Sequence, residues 1–479
     1  MRDDDPTDSL FSTSTPRSAA PRQMESSARK AMSLRWHFFR GAKRCDVDCA
    51  TGRCLGSSAG HGNLSRRVLL GMLCALAGQV VLPSSVLAAA TRPETCRGRL
   101  IVVFLRGAYD GLSALIPWSD PHYAALRPNI AIPVSGRQGE TALILDDTFA
   151  LHPALASLLP LWQAGVLAVI PCAGSPHPTR SHFEAQYHWE TGQIDSRHGR
   201  DGWLNALAGS CPGSVAVGVA NALPRILHGA AAVRIIPSGA AATRAGVLDQ
   251  PAARAALERF VDGSDDSLSR AFRSGMDDRL DTARSLREEM AACADISHEM
   301  RQASNGAGAA RNLRLDAGHL GLMMRHDGRL RFGFLSAGGW DTHANQGASR
   351  GILASNLAAL ADALVELRRH FHAPHDVIAV VSEFGRTVAE NGTRGTDHGH
   401  GNALWLLGDA VRGGRWHGRW EGLARERLYE GRDLPVHHDF RAIFAHLLAA
   451  IVGLSKAEAQ RLFPGHAEDA MLAGLMKAD

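Results

Sequence analysis

The chain has 479 residues, 45% hydrophobic and 21% charged, an ordinary globular composition that suits one large domain with insertions or two to three average ones. A net charge of +4 with dispersed arginines excludes nucleic acid as an expected partner. The 23 histidines are more informative, because neutral imidazole is the commonest metal ligand.

Residues 1–64 are rich in Ser, Arg, Asp and Gly, lack apolar periodicity, and read as a disordered extension. Cys45, Cys49 and Cys54 within it have neither CxxC spacing nor a nearby His pair, so no zinc site is expected there. Ser65-Arg66-Arg67-Val68-Leu69-Leu70 then opens an apolar run to about Leu82, followed by small residues up to Ala90. Basic, apolar and small segments in that order make 65–90 a cleavable export signal, and the adjacent arginines match the twin-arginine form. The apolar run of about 15 residues falls short of the roughly 20 that a membrane span needs. Cleavage therefore leaves no stable membrane anchor. The expected location is periplasmic or secreted, with the twin-arginine export machinery as a partner. Cys96, Cys172, Cys211 and Cys293 follow; an oxidising compartment permits disulfides, and the spacing leaves their pairing open.

From residue 91 onward, strands alternate with helices. Arg99–Arg106 is an apolar strand that runs into Gly107-Ala108-Tyr109-Asp110-Gly111, which puts Asp110 at its C-terminal end. A helix over 154–163 precedes a strand at 166–170. Ser181 then starts a helix, with Glu184 three residues on as a capping box. A hydroxyl beside free helix N–H groups also suits an anionic ester, with Arg180 and His182 on either side. A helix opens near Trp203, and 214–219 is a strand. Residues 247–328 read as an inserted helical region. The strand 330–336 ends at Gly338-Gly339-Trp340-Asp341-Thr342-His343, where Asp341 and His343, two apart, point to one side. The helix 352–371 leads to the strand 377–381, which breaks into Ser382-Glu383-Phe384-Gly385-Arg386. Asp397-His398-Gly399-His400 follows: one carboxylate and two imidazoles that can converge on a divalent metal. The strand 403–407 and an amphipathic helix, 440–454, close the chain.

The alternation predicts an α/β fold with a doubly wound, mostly parallel sheet. In such sheets ligands bind beyond the C-terminal strand ends. Asp110, the Arg180–His182 group, Asp341 with His343, and Glu383 with Asp397, His398 and His400 all fall there.

Phe104-Leu-Arg-Gly-Ala-Tyr-Asp110-Gly, Arg180-Ser-His-Phe-Glu-Ala-Gln186, Gly338-Gly-Trp-Asp-Thr-His343, Ser382-Glu-Phe-Gly-Arg-Thr387 and Gly395-Thr-Asp-His-Gly-His-Gly-Asn402 resemble one bacterial family. It is the exported family of unknown function numbered fifteen-oh-one, and the resemblance spans roughly residues 97–460. That family is in turn similar to the alkaline phosphatase and sulfatase superfamily. The resemblance implies an alkaline phosphatase-like fold, Asp110, Asp341, His343 and His398 as metal ligands with Glu383 as a further candidate, and Ser181 as nucleophile. The metal it implies is divalent, zinc first, as one or two ions. Where the superfamily has Asp-His-Gly this chain has Glu383-Phe384-Gly385, and Phe384 cannot bind a metal. His182, Asp397 or His400 is left to complete the set. Pro176 stands where a sulfatase has its Cys or Ser. The expected activity is metal-dependent hydrolysis or transfer of a phosphate or sulfate ester, with Arg180 and Arg386 neutralising the anion. The alternative is a non-catalytic exported protein that keeps the fold and binds a partner or polysaccharide.

Overall fold

The computed structural model describes residues 96–194, 201–239 and 309–477, together with isolated helical positions between them. The expected extension, the export signal, Cys293 and most of the helical stretch expected at 247–328 lie outside the described residues.

Among the described residues, nine strands form the main sheet. They are β1 (Arg99–Leu105), β2 (Leu167–Gly174), β3 (Val215–Val219), β4 (Val233–Ile236), β5 (Leu330–Ala337), β6 (Asp376–Ser382), β7 (Asn402–Leu407), β8 (Arg415–Trp416) and β9 (His438–Asp439). The order across the sheet is β8-β2-β7-β6-β1-β5-β3-β4, with β9 also paired to β2. From β6 to β4 every pairing is parallel, and only β7 runs antiparallel to both its neighbours. β1 lies at the centre and is apolar along its length, as a strand covered on both faces must be. Its side chains alternate between two layers. Ile101, Val103 and Leu105 face a core with Leu320, Leu357 and Leu364, from α3 (Leu313–His326) and α4 (Ile352–His370). Leu100, Val102 and Phe104 face the other core with Trp189, Trp203 and Phe444. Those three come from α1 (His182–Thr191), α2 (Trp203–Ser210) and α5 (Phe440–Val452). The sheet is thus wound on both sides, as the alternation predicts.

Three expectations change. The helix over 154–163 is a 3₁₀ turn, Pro153–Leu158, followed by five α-helical residues, because Pro160 has no N–H to continue one ladder. The last part of the stretch expected as an insertion, Leu313–His326, is a core helix packed along α4. β4 went unread because Arg234 interrupts its short apolar run.

A disulfide joins Cys96, just before β1, to Cys211 at the end of α2, across 115 positions. Cys172 is buried and free. Among the described residues no helix is long and apolar enough to cross a membrane.

Behind the sheet edge sits a fully buried ion pair. Arg127 donates to both oxygens of Asp110, at 2.6 and 3.1 Å, and to the carbonyls of Thr387 and Val388 at 3.0 and 2.7 Å. Ser113 and Gln346 add hydrogen bonds to the same carboxylate, each at 2.7 Å. Burial alone raises the Asp110 pKa, but Arg127 and the two neutral donors outweigh it and hold the carboxyl below its ordinary value. Removing one member of such a pair strands the other charge. Arg127→Met is therefore expected to cost about 3–5 kcal/mol at neutral pH. The wild-type contribution is present above the unfolded pKa of Asp110 and is lost as pH falls through the lower folded value. Urea denaturation of both proteins across the acid range should show the gap closing with falling pH; a constant gap would mean that Arg127 acts through packing alone.

Candidate metal centre

β1, β5 and β6 end level, with Leu105 paired to both Ala337 and Ser382. Whatever follows each strand is therefore delivered to one place. After β1 the chain turns sharply through Gly107 and Ala108, both at positive φ (116° and 57°). The turn aims the Gly107 N–H at Glu383, immediately after β6.

Glu383 has no exposed side-chain surface. One oxygen accepts the Gly107 N–H at 2.7 Å and Gln186 Nε2 at 2.9 Å, and faces His182 Nδ1 at 2.8 Å. The other accepts the Ser382 hydroxyl at 3.0 Å. Desolvation pushes the Glu383 pKa up, yet His182, Gln186 and the backbone donor pull it below the ordinary value, so the carboxylate stays charged. His182 and Gln186 are four apart on α1, on one helix face, which is why both reach it.

Three imidazoles meet outside this carboxylate, and each has its Nδ1 turned outward to an acceptor. His182 faces Glu383, His343 faces Asp397 at 3.1 Å, and His398 faces the Arg180 carbonyl at 3.0 Å. A carbonyl or carboxylate oxygen only accepts, so each Nδ1 carries the proton and each Nε2 of a neutral ring is a bare lone pair. Those lone pairs converge. His398 Nε2 lies 3.0 Å from both His182 Nε2 and His343 Nε2. Asp341 joins them: Oδ1 is 3.1 Å from His398 Nε2 and 3.0 Å from His343 Nε2, and Oδ2 is 3.6 Å from His182 Nε2. Arg386 hydrogen-bonds Asp341 Oδ1 and fixes the carboxylate. Lone pairs at such distances repel unless a cation lies between them. The donors are nitrogen and oxygen, each imidazole is oriented by an outer acceptor, and His182, Asp341 and His398 lie close enough together to hold a divalent ion such as zinc, with His343 Nε2 beside His398. Without a metal a proton plays that part: Glu383 raises the pKa of His182, while burial lowers that of His398.

The Gly-rich loop is held by contact of backbone on backbone. A Cβ at Gly385 would lie 1.8 Å from the Gly401 carbonyl oxygen, and one at Gly399 would lie 2.5 Å from that of Arg386. Phe384 is buried under the imidazoles, its ring 4.9 Å from His182 and 5.1 Å from His398.

The structure moves several expected residues. Asp341, His343 and His398 are brought together, and His182 joins them at the centre. Asp110 is withdrawn into its pair with Arg127, which takes both of its oxygens. Glu383 and Asp397 stand one layer out, orienting His182 and His343. Arg386 is turned inward with no exposed surface, donating to the carbonyls of Gly107, Ala108 and Thr396, so it meets no incoming anion. The Arg180 guanidinium pairs with Glu430 and Asp433, and only its carbonyl serves the centre. His400 is buried against Tyr429, ring centroids 4.6 Å apart, away from the Nε2 cluster. Ser181 is exposed and precedes α1, but the capping box does not form. The Thr179 hydroxyl donates to the Glu184 carboxylate at 2.6 Å and accepts the Ser181 N–H at 3.2 Å, which a capping box would give to Glu184. Gln186 and Arg127 went unread. Gln186 had a signal in its four-residue spacing from His182.

A doubly wound α/β protein with a three-imidazole, one-carboxylate cluster at the C-terminal ends of its central strands is the class that these features define. Residues 97–462 match the family described as Protein of unknown function (DUF1501), and the chain belongs to that family. No curated protein matches the chain. Among solved structures, the PH0037 protein from Pyrococcus horikoshii is similar at a TM-score of 0.32 and 10% identity, over 65% of this chain and 86% of that one.

Metal uptake must displace the His182 proton, so affinity should fall as pH drops through a value above the ordinary histidine pKa of about 6.5. Glu383→Gln removes the cause of the raised pKa. It is expected to move that fall to lower pH and to weaken zinc binding at high pH by about 10–100-fold. Zinc titrations of both proteins against pH give the answer, and identical profiles would mean that Glu383 does not govern the cluster.

Proposed function

We propose that this protein is an exported, metal-dependent hydrolase or transferase acting on phosphate or sulfate esters, related at a distance to the alkaline phosphatase and sulfatase superfamily. The observation that carries the reading is the convergence of three bare Nε2 atoms and Asp341 beside an exposed serine at a helix start. A divalent ion held there would polarise an ester oxygen and lower the pKa of a bound hydroxyl or water. Ser181 is the nucleophile of this reading: it is adjacent to His182, exposed, and makes no capping hydrogen bond, so its hydroxyl is available. The first N–H groups of α1, next to Ser181, favour an anionic group. Arg386 acts indirectly, by holding Asp341 in place.

Phe384 favours a second reading, a non-catalytic exported protein that retains the fold and a metal. It fills with hydrocarbon a position where the superfamily has a ligand, packing on Ala108 and Ala185 beneath the imidazoles.

Ser181→Gly separates the two readings, because Gly serves nearly as well as Ser at a helix start. On a panel of aryl phosphates and sulfates, the folded, metal-loaded variant should lose at least about a hundredfold in turnover. Wild-type turnover in that variant would remove Ser181 from the chemistry, and no turnover by the wild-type protein would favour the binding reading.

Export by the twin-arginine route is part of the proposal, and the Cys96–Cys211 disulfide supports an oxidising destination. Arg66→Lys with Arg67→Lys should hold the precursor in the cytoplasm, as read by cell fractionation. Undiminished periplasmic accumulation would point to another route.

A further inference from the structure

α1 has a second ligand ladder on the face turned away from the centre. His182 and Gln186 point to Glu383; Glu184 and His188, also four apart, lie about half a helical turn around. His177, from the loop before the helix, folds over them. One donor atom from each of His177, Glu184 and His188 lies within 4.8 Å of the other two. The rings of His177 and His188 meet edge to face with centroids 4.6 Å apart. His177 Nδ1 is enclosed and has no hydrogen-bond partner, an arrangement that costs free energy unless something binds the nitrogen. One Glu184 oxygen accepts from the Thr179 hydroxyl at 2.6 Å, which fixes the carboxylate.

We infer that His177, Glu184 and His188 form a second divalent-metal site, distinct from the His182–Asp341–His398 cluster. Two imidazoles and one carboxylate are a borderline nitrogen–oxygen donor set that suits zinc and leaves a coordination position open. An ion there ties the loop 175–180 to α1. That loop ends at Arg180, whose carbonyl orients His398, so the second site braces the first from behind. The inference does not depend on the proposed ester chemistry.

Zinc per chain, measured on the intact protein after chelation and reloading, tests it. Wild type should hold two ions. His177→Ala and Glu184→Gln should each hold one, His398→Ala should hold one, and His177→Ala with His398→Ala should hold none. Far-UV circular dichroism identifies any variant that fails to fold, and Glu184→Gln, which keeps the side-chain shape, stands in if His177→Ala does so. With the second ion gone, the remaining site should bind zinc about tenfold more weakly, as expected when an orienting partner loosens. A wild-type content of one ion that disappears in His398→Ala would overturn the inference, as would full wild-type content in both His177→Ala and Glu184→Gln. Unchanged zinc content in His398→Ala alone would instead fault the first centre and leave this one standing.

Discussion

Glu383 is a full negative charge with no exposed surface, and the edge of the sheet is arranged around keeping it charged. A buried carboxylate is costly unless donors surround it. Here they come from three directions: the backbone after β1, the hydroxyl at the end of β6, and one face of α1. The carboxylate thereby locks α1 onto the sheet and sets the tautomer of His182. Replacing any of these donors changes the fold and the electrostatics of the cluster together.

The same logic recurs one layer deeper and one layer out. Asp110 and Arg127 anchor the turn after β1 to the segment carrying Thr387 and Val388. Arg386 joins that turn to the loop after β5 through Asp341. Each element bearing a ligand is therefore tied to another by a charged side chain in addition to its apolar and backbone contacts. Apolar packing fixes the strands; charge fixes the loops.

This division explains what could be read in the sequence. Strands buried on both faces are nearly continuous apolar runs, so the parallel β1, β5 and β6, the antiparallel β7, and the polar residues at their ends were legible, Asp341, His343 and His398 among them. The roles of Asp110, Arg386 and Arg180 were not, because a charged residue at a strand end looks the same whether it faces solvent or a buried partner. Arg127 stands in no motif, and its 17-residue distance from Asp110 gives no local signal. His182 and Asp397 were visible as candidates, but their roles are set by partners distant in sequence: Glu383 engages Nδ1 of His182 and leaves Nε2 to the cluster, while Asp397 faces Nδ1 of His343. The antiparallel direction of β7 follows from the Gly-rich loop reversing the chain, which composition alone does not reveal.

That loop has an evolutionary consequence. With Gly385 packed on the Gly401 carbonyl and Gly399 on that of Arg386, side chains are shut out of both positions. Sequence drift there breaks the backbone before it can adjust the chemistry. Position 183 at the start of α1 faces no such constraint: Phe183, between Ser181–His182 and Glu184, is 90% exposed. A new side chain at position 183 costs the fold little, while positions 385 and 399 admit none, so this protein can diversify beside His182 but not within the loop that carries His398.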